Sequence, residues 1–352
     1  MNKQRNSSFE LLRIICILII LLLHTNSHVD RGDMSLFNVR LSDFFSSIGE
    51  VAVVCFILIS GYFKVTLKWE QFIRLIILTT VYSVILYFSL FGFSSINLIE
   101  FCKKLFVIPL YYNWFICCYL VLMLLSPFIN QFCEICDKKN FTRLIVFLVI
   151  PFSVIPTMFN SSYHFILSDG GKCLTYFIFL YLTGRYIRLH RDVNVSRTKA
   201  LFVFITSTLM INILNYILSA IFNKPAIYML YSDCSIFIYI SSISIFYLFK
   251  SFPFQSNWIN YLSSSVLTVF LLDELRVFLD NQFIHLSDYA TSYSFVVYWI
   301  LLALFTFFVC IAIDKIRILL FTKTENYMIR VIIRISNYVY LKLKYSLKFL
   351  YE

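Results

Sequence analysis

What this chain can fold into is limited first by how often it offers about twenty consecutive, mainly apolar residues, the length that crosses a bilayer's hydrocarbon core as a helix. "IICILIILLL" (Ile14 to Leu23), "VAVVCFILIS" (Val51 to Ser60) and "FVVYWILLALFTFFVCIAI" (Phe295 to Ile313) are three such cores. Hydrophobic residues make up 60% of the 352 and charged residues only 14%. A soluble domain carries about 45–50% and about 25%. The expectation is an all-α integral membrane protein with about ten transmembrane helices in one bundle, over roughly 9–28, 44–63, 72–92, 111–130, 141–159, 171–188, 200–221, 231–249, 259–279 and 293–313.

The net charge is +11, and its distribution predicts topology before any nucleic-acid partner. With Lys3 and Arg5 in the cytoplasm, the basic connections "KVTLKWEQFIR", "DKKNFTR" and "GRYIRLHRDVNVSRTK" fall on the same side, as does everything after Asp314. The exception is "EFCKK" (Glu100 to Lys104), which reads as an interfacial helix. Both termini are therefore expected in the cytoplasm. Residues 1–314 form the transmembrane domain in this reading. Residues 315–352, with Arg330, Arg334, Lys342, Lys344 and Lys348 among apolar residues, form a basic amphipathic tail on lipid headgroups. The first segment is a retained helix, because Glu10 and Arg13 interrupt any signal-peptide core. The ten cysteines are scattered, and the lone Cys133/Cys136 pair has no second ligand pair, so no metal is expected.

The first span carries Glu10, Arg13, His24 and His28. His24 lies eleven positions after Arg13, about 1100°, or three turns plus about 20°; they share a face about 16 Å apart along the axis. Glu10 is close enough to pair with Arg13. Such a stripe is expensive in lipid and points toward a bundle interior or a wet cavity. The plain alternative is that its ends reach the two interfaces by snorkelling. Ser60-Gly61 closes the second span and permits close backbone or ligand approach. Lys64, Lys68 and Arg74 follow, either as positive-inside topology or as an anion site for phosphates.

"RNSSFELLRIICILIILLLHTNSH", "FILISGYF", "NWFICCYLVLMLLSPFIN", "FIFLYLTGRYIR" and "YLSSSVLTVFLLDE", in that order and spacing, resemble the acyltransferase-three family of polytopic membrane acyltransferases over about residues 5 to 313. The family's Arg, ten residues, His pattern falls on Arg13 and His24. The resemblance implies a multi-pass protein of the cytoplasmic membrane, of bacterial type, with no bound cofactor. It implies acyl transfer from acyl-CoA, commonly acetyl-CoA, to a hydroxyl of a surface glycan or its lipid-linked precursor. On that basis His24 is the candidate base or acyl carrier, with Arg13 and Glu10 beside the donor path. Ser60, Lys68 and Arg74 are the candidate acyl-CoA contacts, and His28, Asp273 and Glu274 the acceptor side. Where similar sequences often read Leu-Ile-His-Glu, this one reads Leu271-Leu272-Asp273-Glu274. Asp273 then either replaces that histidine or marks a solvated helix end. A transporter or flippase is the rival class, since intramembrane ionisable residues also mark substrate pathways.

Overall fold

The computed structural model describes residues 5–27, 29–92, 97–108, 113–159, 169–223 and 230–351, and their regular structure is helical throughout. In chain order the helices are α1 (Ser7–Asn26), α2 (Leu36–Phe63), α3 (Trp69–Phe91), α4 (Leu98–Leu105), α5 (Trp114–Ile135), α6 (Lys138–Val149), α7 (Ile155–Met158), α8 (Leu174–His190), α9 (Arg197–Phe222), α10 (Ile236–Lys250), α11 (Asn257–Ser263), α12 (Val266–Leu271), α13 (Leu275–Leu279) and α14 (Phe295–Tyr351). Local sequence sets several starts. Asn6, Ser35, Asn113 and Asp137 each accept a hydrogen bond from a backbone amide of the first turn, which satisfies donors that a helix start leaves open.

Seven helices among the described residues are long and apolar enough to cross a membrane: α1, α2, α3, α5, α6 through α7, α9 and α14. The other three expected spans differ from these. Helix α8 is a short central helix, buried from Tyr176 to Ile187 apart from Ile178, and α10 is a 15-residue apolar helix. The third, expected at 259–279, is not one helix. It breaks into α11, α12 and α13, followed by a π turn and a 3₁₀ turn. The break begins at three consecutive serines. Ser263 and Ser264 hydroxyls donate to the carbonyls of Asn260 and Tyr261, the local competition that weakens helices. Ser265 and Leu272 have bridge-region backbones. Irregular backbone at membrane depth persists where it lines a cavity or is buried in protein.

Helix α14 runs without interruption through Asp314 to Tyr351. Beyond Asp314 it packs onto α3. Arg74 donates to Asn326 Oδ1 (2.6 Å) and pairs with Glu325 (3.3 Å), which also holds Arg317 (2.5 Å). Arg317 in turn holds Asp314, which accepts from Tyr82 and Thr268.

Three sets of contacts fix relative height along the bundle. A Cβ on Gly49 would meet the Leu23 side chain at 2.8 Å, whereas Phe9 packs on Tyr62 and Phe63; α1 and α2 are therefore antiparallel. Ser7 meets Asn260 (3.0 Å) and His24 meets Asp273 (2.5 Å), so the broken segment runs parallel to α1. Helix α2 and α8 touch backbone to backbone where Gly61 faces Gly184. A Cβ on Gly61 would strike Tyr181 O, and one on Gly184 would strike Leu58 O.

Adding a methyl at that crossing forces the two backbones apart, an overpacking penalty of about 1–3 kcal/mol or more. Gly184→Ala is expected to lower the thermal midpoint in a thiol-dye unfolding assay by several degrees. Gly32→Ala, whose added carbon would meet only the Asp30 side chain at ordinary contact distance, should leave the midpoint unchanged.

Candidate functional site

A cavity of about 900 Å³ lies between α1, α2, α3, the start of α5 and the broken segment. Its lining sorts by height. At the level where α1 begins stand Arg5, Glu10, Arg13, Ser60, Gln71, Ser263 and Ser264. At the level where α1 ends stand His24, Glu50, Asp273 and Glu274. Apolar and aromatic side chains including Ile20, Val53, Phe56, Leu75, Phe115 and Phe270 form the walls between. The stripe on α1 thus faces a cavity rather than lipid, and one cavity joins Glu10, Arg13, His24, Ser60, Asp273 and Glu274.

The closest polar contact is between His24 and Asp273. His24 Nδ1 lies 2.5 Å from Asp273 Oδ2, and the same oxygen accepts from Arg276 Nη1 at 2.6 Å. Asp273 is 8% and Arg276 7% exposed. Asp273 is therefore no solvated helix end. The turn between α12 and α13 carries it into α1, where two donors share its charge. A carboxylate at Nδ1 fixes the neutral imidazole as the Nδ1–H tautomer and leaves the lone pair on Nε2. An oriented, half-exposed imidazole on a cavity wall can take a proton from a bound hydroxyl and return it to a leaving group.

At the other end Arg13 pairs with Glu10 at 2.6 Å, and Arg5 reaches Asn260 O at 3.4 Å. This end presents two guanidiniums, which bind anionic oxygens through paired N–H donors. The Ser60-Gly61 dipeptide serves two surfaces: Gly61 faces the α8 backbone, and Ser60, whose hydroxyl donates to Phe56 O, lines the cavity. Glu274 pairs with Lys104 at 3.2 Å.

The remaining sequence candidates lie elsewhere. Lys68 is exposed, immediately before α3 and outside the cavity lining. Arg74 also lies outside that lining, occupied by Glu325 and Asn326. His28 falls outside the described residues. Glu50, Gln71 and Lys104 are among the lining residues that the sequence reading does not single out as site residues. A lone carboxylate inside the second apolar run is the signal that could have flagged Glu50; Arg276, one turn after Asp273, could have been found by its i,i+3 spacing.

If the His24–Asp273 contact holds α1 to the broken segment, the two side chains are thermodynamically coupled. A double-mutant cycle with His24→Ala and Asp273→Ala, read by thermal unfolding, should give an interaction energy of about 0.5–3 kcal/mol. Additive effects would contradict the contact.

Comparison with known proteins fits this arrangement. A model of the acyltransferase-three family, described as an acyltransferase domain, matches residues 6–315. No curated protein matches, and no solved structure matches. The matched region takes in the polar stripe of α1, the α2–α8 crossing, the broken segment and the apolar part of α14. A polytopic helical chain matched over that extent belongs to the acyltransferase-three family of membrane acyltransferases.

Proposed function

We propose that the protein moves an acyl group, in the first instance acetyl, from cytoplasmic acyl-CoA to a hydroxyl of a cell-surface glycan or its lipid-linked precursor. The observation that carries the reading is the oriented imidazole, with His24 held by Asp273 on the wall of a cavity whose opposite end presents Arg5 and Arg13. His24 Nε2 takes the acceptor's hydroxyl proton as that oxygen attacks the thioester carbonyl. The C–O bond forms, a tetrahedral oxyanion passes, the C–S bond breaks, and the imidazolium returns its proton to the departing thiolate. Asp273 holds the ring and steadies the imidazolium, the part a carboxylate plays in nucleophile–histidine–acid arrangements.

Arg13 stands about 16 Å from His24 along α1. That excludes it from the oxyanion and suits the anionic end of the donor, whose phosphates and thioester sit at opposite ends of an extended arm. Arg5 and Ser60 share that end, whereas Lys68 is exposed outside the lining, three residues before the lining residue Gln71. Arg74 can join only by leaving Glu325 and Asn326. The basic connections support a cytoplasmic donor mouth, with Asp273 and Glu274 toward the other side of the membrane.

Inside-out vesicles supplied with radiolabelled acetyl-CoA test this reading. The wild-type protein should transfer label covalently to an acceptor. His24→Ala should lower transfer by about 10²-fold or more, and Asp273→Asn should lower it while leaving the KM for acetyl-CoA unchanged. Transfer undiminished by His24→Ala in correctly inserted protein would overturn the assignment. Accumulation of solute without covalent label would favour a transporter.

A further inference from the structure

Four carboxylates line the cavity, and three have cationic partners: Glu10 has Arg13, Glu274 has Lys104, and Asp273 has His24 and Arg276. Glu50 has no hydrogen-bond or ion-pair partner among the described residues. It is half-buried in α2, one residue after Gly49, whose backbone abuts Leu23. Glu50 therefore stands at the height of His24 on the neighbouring helix, on the wall of the same cavity.

A lone carboxylate at membrane depth is costly, and this one neither braces an ion pair nor caps a helix. Its use lies in what enters the cavity. A carboxylate offers acceptor oxygens only, with room for two hydroxyl hydrogens at once. Trp114 and Tyr119 line the same cavity; aromatic rings present a flat apolar face with a polar edge, onto which the C–H face of a sugar ring can lie. Carboxylate, aromatic rings and a nearby imidazole together match a polyhydroxylated ring better than an anion, which Glu50 would repel, or a simple alkyl alcohol, which would leave one of its oxygens unfilled.

We propose that Glu50 is the acceptor-binding residue of the cavity, accepting hydrogen bonds from two hydroxyls of a carbohydrate and thereby presenting a neighbouring hydroxyl to His24 Nε2. The binding claim stands on the cavity itself; only the presentation to His24 rests on the acyl-transfer reading above.

Two measurements on the full-length protein in lipid nanodiscs test it. In saturation-transfer NMR with methyl glucoside as the probe, the wild-type protein and His24→Ala should both bind. Glu50→Gln should bind about 10-fold or more weakly, the scale of losing a charge-assisted hydrogen bond. Glu50→Asp, which keeps the charge, should recover part of the loss. In transfer assays with radiolabelled acetyl-CoA, Glu50→Gln should raise the KM for methyl glucoside by at least 10-fold and leave that for acetyl-CoA unchanged. Failure of the wild type to bind methyl glucoside, or equal binding by Glu50→Gln, would overturn the proposal. So would a raised KM for acetyl-CoA alone. Glu50-dependent binding without acyl transfer would uphold the site and refute the acyl-transfer reading instead.

Discussion

The contact between His24 and Asp273 organises the structure around it. A carboxylate held among apolar helices is tolerable only when its charge is met by donors, since desolvation at such depth is worth several kcal/mol. Asp273 meets that requirement with two donors on one oxygen, Nδ1 of His24 and the guanidinium of Arg276. Arg276 is one turn away along the chain, whereas His24 is reached where the backbone leaves the helical path. A continuous helix from Asn257 to Leu279 would carry Asp273 round with its neighbours, whereas the turns at Ser264–Ser265 and Leu272–Glu274 deliver it into α1. The broken segment and the polar stripe of α1 are two halves of one polar surface.

The cavity needs walls that keep this surface wet without opening it to lipid. Close backbone contact between α2 and α8 at Gly61 and Gly184 fixes one wall, because two helices without intervening side chains cannot drift in spacing or register. Ser60, one residue earlier, consequently has a defined place on the cavity side. Trp299 donates its indole N–H to Leu22 O at 2.8 Å, and Asn38 donates to the carbonyls of Ala290 and Ser292. These contacts secure the His24 end of the bundle from α14 and the segment before it. At the opposite end, Arg74, Arg317, Glu325 and Asp314 tie α3 to the extension of α14.

Much of this is legible in the amino-acid sequence. The apolar runs announced the helices, and angular arithmetic placed Glu10, Arg13 and His24 on one face, because helical periodicity is local. Asp273 departs from the family pattern, yet its partner is not legible in the sequence. A sequence separation of 249 from His24 carries no local signal. The break in the segment expected at 259–279 was hidden for another reason. Serines and leucines read as an ordinary apolar helix by composition, and the chain is poor in the Gly and Pro that usually mark such breaks. Arg74 shows the converse limit. Its position after the second span suits an anion site, but its charge is spent on Glu325, and only the fold shows that α14 beyond Asp314 lies against α3.

The state of one imidazole tests the central claim most directly. With ring-labelled histidine in bilayer-reconstituted protein, and the His24 signals assigned by their loss in His24→Gln, nitrogen-15 NMR at neutral pH should report a protonated Nδ1 and an unprotonated Nε2. That pattern is the signature of a ring that gives its N–H to Asp273 and turns its lone pair toward the cavity. A proton on Nε2 with Nδ1 bare would mean that the basic nitrogen points at Asp273 instead, and His24 would have no lone pair to offer a hydroxyl in the cavity.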